Sequence, residues 1–116
     1  MEELAVNLTQ EEALAISMNF PLEPARNRVI ITVNTEENDD IDLIGAGLSE
    51  TQFVLSTGPH VWDKIKPGTK VCLDLEKMSS TNPGTGSFEI HIDPVKVGDR
   101  VFAYVYDSSI KAIDNR

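Results

Sequence analysis

Apolar and polar residues alternate over several short stretches of this chain, and a two-residue period marks half-buried β-strands. In "FEIHID" Phe88, Ile90 and Ile92 point one way and Glu89, His91 and Asp93 the other. In "KVCLDL" (70–75) Val71, Leu73 and Leu75 oppose Cys72 and Asp74. In "RVFAYVY" (100–106) Val101, Ala103 and Val105 alternate with Phe102, Tyr104 and Tyr106. "NRVIITVN" (27–34), "FVLST" (53–57) and "SIKAI" (109–113) add three more short, largely β-branched runs. The separators carry turn chemistry. "KPGT" suits a type II turn, with Pro67 presetting φ and Gly68 accepting a positive φ. "NPGTG" and "VGD" are equally good turn formers. One turn signal occurs twice: Lys, any residue, Gly, a small polar residue, a basic residue, Val, as "KPGTKV" and "KVGDRV".

Only one stretch has helical spacing. In "LTQEEALAISMNF" Thr9 is placed to cap, Glu12 to reach back to it, and Leu14, Ala15 and Met18 share a face. This predicts a short helix over about 10–19, ended by the two prolines of "FPLEP". Six short strands and one small helix predict an all-β sandwich or barrel. The doubled turn signal would feed two strands into a small closed sheet, and closure removes open edges.

Length and composition narrow the class. The chain has 116 residues, enough for one domain with a modest core. Its formal net charge of −9 argues against nucleic acid as a partner, because that affinity comes mainly from cations that neutralise phosphates. Cys72 is the one cysteine, so no internal disulfide forms and a metal cluster is not expected. "MEELAVNLTQEE" lacks the basic flank and apolar stretch of a signal peptide, and no apolar run reaches the length of a membrane span. A soluble, cytoplasmic, acidic domain is expected.

The usual marks of catalysis are missing. No nucleophile motif frames the serines, and His60 and His91 are far apart in sequence. Asp39, Asp40 and Asp42 loosely resemble a calcium loop, but the bidentate Glu that should follow is missing, so a solvated acidic loop is expected. No glycine-rich strand-to-helix turn marks a nucleotide site. No metal, no cofactor and no enzymatic activity are expected. Trp62, in "GPHVWDKIKPG", is expected to plug one end of the core; an exposed aromatic contact is the other reading.

One feature stands apart. "TEENDDIDLIGAGLSETQ" holds six carboxylates, no Lys or Arg and two glycines, and it has little periodicity. A loop this long in a small domain is usually functional or disordered. Ile41, Leu43, Ile44 and Leu48 sit within it, between carboxylates, Gly45 and Gly47. They either fold back as a lid on the core or insert into a partner's apolar groove.

The order of these segments resembles the GroES-type co-chaperonin (chaperonin-10) family across about residues 27–114. "NRVIITV" is similar to that family's first strand, and the loop bearing "DLIGAG" sits where the family carries its mobile loop. "ETQFVLSTGP" is similar to the strand after the loop, "IKPGTKVCLD" to the V-K-V-G-D-x-V-x-F segment, and "RVFAYVYDSSIKAID" to the C-terminal strands. The family's roof hairpin is shortened here to "PHVWDKIKPG", in the manner of bacteriophage co-chaperonins. Asp42 interrupts the aliphatic triplet, and the N-terminal helix is extra.

The resemblance implies a GroES-like β-barrel over 27–116 after a helical extension over 1–26. It implies a homo-heptameric ring that caps a chaperonin ring and helps a client such as a phage capsid protein to fold. Ile41, Leu43, Ile44, Gly45 and Leu48 would bind the chaperonin. Val29, Ile31 and Val33 would pair with Ile110 and Ala112 of the neighbouring subunit. The alternative is a non-enzymatic virion component, a capsid decoration or connector protein built on the same barrel, with capsid proteins as partners.

Overall fold

A computed structural model describes residues 7–35, 48–81, 84, 88–90 and 92–114. The helix α1 spans Gln10–Ser17. The strands are β1 Arg28–Ile31, β2 Thr51–Thr57, β3 Lys70–Leu73, β4 Ser79–Thr81, β5 Phe88–Ile90, β6 Asp93–Val97, β7 Arg100–Tyr106 and β8 Ile110–Asp114. Six of them form one antiparallel sheet in the order β6-β7-β1-β2-β3-β8, and β4 and β5 pair separately as a hairpin. The all-β class is as expected. The closed barrel is not: the sheet is open, and β6 and β8 are its two outer strands. Pro94 in β6 lacks the N–H that a further ladder would use, which suits an edge position.

Both faces of the sheet are covered, and the chain alternation decides which residue goes where. Val29 and Ile31 of β1 join Val54, Val71, Leu73, Ala103 and Val105 in one core cluster. Ile30, between them, turns to the other face and packs with Leu55, Phe102, Leu8 and Ala13. This second face explains the N-terminal helix. Glu12 N–H donates to Thr9 Oγ1 and Thr9 N–H to Glu12 Oε1, so the capping box forms as the sequence predicts. The capped helix sets Ala13 into the sheet with no exposed surface. Phe20, just beyond it, meets Phe102 edge to face at 5.4 Å. Residues 8–20 thus cover the sheet's second face.

A cross-strand staple extends this same face, two residues along β1 from Ile30. The Arg28 guanidinium lies 4.4 Å from the Tyr106 ring centroid and 5.3 Å from that of Tyr104. It also pairs with Asp93 at 2.8 Å, so one cation links β1, β7 and β6.

Two glycines show different needs. Gly98 leads the tight β6–β7 turn with φ +66°, the position a type II′ hairpin gives to glycine. A Cβ there would meet nothing within 4 Å. Gly98→Ala therefore carries only the backbone cost of a left-handed residue, about 1–2 kcal/mol. A fall in Tm of roughly 5–10 °C in a melting scan is expected. Gly58 has an ordinary φ of −73°, but its Cβ would lie 2.2 Å from the Arg26 carbonyl oxygen. It is required by close approach of backbone, not by conformation. Gly68, with φ +86°, behaves as its turn signal predicts.

Candidate functional site

The long acidic segment leaves and re-enters the sheet at one point. Thr35 and Leu48 form an isolated antiparallel bridge, and Ser49 N–H donates to Asn34 O at 3.0 Å. Between these two anchors lie residues 36–47.

Gln52 of β2 holds this foot together. It has no exposed surface. Its Oε1 accepts from Thr32 Oγ1 at 2.7 Å and from Asn34 N–H at 2.8 Å. Its Nε2 donates to Asn34 O and to Ser49 O, both at 2.9 Å. All four of the side-chain amide's hydrogen-bonding positions are thereby used. Thr32 Oγ1 in turn accepts from Phe53 N–H at 3.0 Å. A buried polar group with every partner in place rigidifies its surroundings, whereas one left unpaired is costly. Sequence reasoning missed this cluster because polar residues near a loop read as solvent-facing. The available signal was the alternation Ile30, Thr32, Asn34, which puts two polar side chains on the buried face of an apolar strand.

The expected docking residues divide. Ile41, Leu43, Ile44 and Gly45 lie outside the described residues. Leu48 follows the first of its two readings and corrects its place among the docking residues: it is 6% exposed and folds into the core cluster with Val29 and Val54, so it anchors the foot.

The expected subunit interface also needs correction. Val29 and Ile31 are buried, and β1 pairs with β2 on one side and β7 on the other, so β1 has no open edge to offer a neighbour. Val33 is half-buried against the same core. Ile110 and Ala112 lie on β8, which pairs with β3 and has no second strand neighbour among the described residues. Ala112 is exposed there. Beside it Lys111 donates to Glu50 Oε2 at 2.9 Å, and this bond holds the ammonium's pKa above its ordinary value.

Trp62 is not a plug. It is 51% exposed, with its indole N–H donated to Thr57 O at 2.9 Å. It borders an open groove of about 480 Å³ with Phe20, Leu22, Ile65 and Pro67. Val61 and Ile65, on either side of it, fill the core position expected of the indole.

Among the described residues, no cluster of His, Cys, Asp and Glu is placed to hold a metal ion. No helix among them is long and apolar enough to cross a membrane. No protein-family model matches the chain, and no curated protein sequence matches it.

Proposed function

We propose that this protein is a co-chaperonin of the GroES type that presents the segment 36–47 to a chaperonin ring. The observation that carries the reading is the foot. A carboxylate-rich segment bearing Ile41, Leu43 and Ile44 leaves the sheet at Thr35 and returns at Leu48, with the flanking Asn34 and Ser49 both held by the buried Gln52 amide. Fixed ends suit a segment whose apolar side chains serve a partner, because the scaffold keeps its register whether or not the partner is bound. The similarity of segment order to the co-chaperonin family names that partner. In a ring of such subunits the neighbours would meet through the outer strands β6 and β8, since β1 is enclosed. Weak docking by one segment becomes strong when a heptamer docks at once.

The test is the double variant Leu43→Ser with Ile44→Ser. Burying one such side chain contributes roughly 1.5–3 kcal/mol, so each segment should lose several kcal/mol of docking energy, multiplied across the ring. The variant should keep the wild-type Tm and oligomeric state. It should no longer slow a chaperonin's ATPase or rescue a chaperonin-dependent client. A poorly folded double variant would show that the pair is a lid on the core, and the proposal would fail. A well-folded wild-type protein that never engages a chaperonin would favour the virion-component reading, to be followed by binding to assembled capsids.

A further inference from the structure

The chain ahead of α1 is tied to the foot by two reciprocal amide pairs. Asn7 Nδ2 donates to Thr35 O at 2.8 Å, and Thr35 N–H donates to Asn7 Oδ1 at 3.0 Å. Asn34 mirrors this: its Oδ1 accepts from Leu8 N–H at 3.0 Å, and its Nδ2 donates to Leu8 O at 2.9 Å. Each asparagine side chain copies the donor and acceptor of a peptide group and pairs with the other segment's backbone, as a neighbouring strand would. Four hydrogen bonds thus join residues 7–8 to residues 34–35. Asn34 also meets Gln52 through its own backbone, so the strap and the buried cluster share one residue. Leu8 is buried in the second core cluster, which roots the strap in the sheet.

We propose that Asn7 and Asn34 are positioning residues: they strap the chain ahead of α1 to the foot, and so set the direction in which the backbone leaves the sheet at Thr35. On the β2 side this backbone is held by the Thr35–Leu48 bridge, the Ser49–Asn34 bond and the Gln52 amide. The strap supplies a second edge at that place. Any docking that begins beyond Thr35 then depends in part on the Asn7 side chain, 28 residues away in sequence. The consequence for docking rests on the co-chaperonin reading; the strap does not.

Asn7→Ala is the cleaner variant, because Asn7 is only partly buried and lies outside every helix and strand. Native-state hydrogen exchange of the full chain is the primary readout. The Thr35 amide should exchange about tenfold faster or more, since it loses its acceptor. The amides of Phe102 and Val105 in β7 should keep their wild-type rates. Asn7→Ala combined with Asn34→Ala should accelerate Thr35 little beyond the stronger single variant, because both open one strap. An unchanged Thr35 rate in Asn7→Ala overturns the proposal. So does equal acceleration at Thr35, Phe102 and Val105, which would mean general destabilisation. With the purified chaperonin as probe, Asn7→Ala should need roughly tenfold more protein to slow the ATPase at unchanged Tm. If docking is unaffected while Thr35 is loosened, the positioning role is wrong. If the wild-type protein itself does not slow the ATPase, the functional reading fails, and the exchange data alone decide on the strap.

Discussion

Gln52→Leu is expected to lower the Tm by roughly 15–25 °C. The leucine is close to the glutamine in volume, so no large cavity opens and the loss is polar. The substitution leaves Asn34 N–H and the Thr32 hydroxyl proton without their partner in a buried site, and Ser49 O in a half-buried one. Asn34 O keeps the Ser49 N–H but loses the Gln52 amide. Each stranded group costs about 1–3 kcal/mol, which sums to roughly 3–5 kcal/mol after partial relaxation. For a domain of this size one kcal/mol moves the midpoint by about 4–6 °C. Calorimetry reads the result directly. A fall below about 5 °C would mean that water reaches the cluster and that the foot is less rigid than described.

Ile31→Pro should unfold the subunit. Were β1 an outer strand pairing between copies, the same change would split an assembly and leave folded monomers. Here β1 lies between β2 and β7, and Ile31 opposes Val54 and Ala103. Asp107 N–H donates to Asn27 O, and the antiparallel alternation from that bond aims the Ile31 N–H at Ala103. Proline removes this donor and clashes in a central strand, at about 3 kcal/mol or more. Trimming a side chain that is 1% exposed adds to this. The far-UV circular dichroism of the variant should be that of an unfolded chain. A folded monomer would place β1 at an edge and contradict the sheet order.

How far the fold was legible depended on how local its cause is. The capping box of α1 and the turn at Gly68 were readable because a few neighbouring residues determine them. The "RVFAYVY" strand was readable to the residue, since its alternation is unbroken. The strand β6, in "DPVKV", was not, because Pro94 argues against a strand unless an edge is known in advance. The short strand β4 was not readable, because "SST" has no apolar face. The centrality of β1 was hidden, since pairing on both sides is a long-range fact. Leu48 and Trp62 were misplaced for one reason: an apolar side chain in a loop is assigned by its neighbours in space, and the sequence names only neighbours along the chain. At the foot, the polar apparatus of Asn7, Asn34 and Gln52 could not be read. Amide side chains have no periodicity that separates a buried network from a wet surface.

The reading stands or falls on whether this scaffold assembles and docks as a co-chaperonin does. Native mass spectrometry of the protein, alone and mixed with a chaperonin and ATP, measures both at once. The expected result is a homo-heptameric ring that also appears bound to the chaperonin. A monomer or trimer that leaves the chaperonin unaccompanied would contradict it.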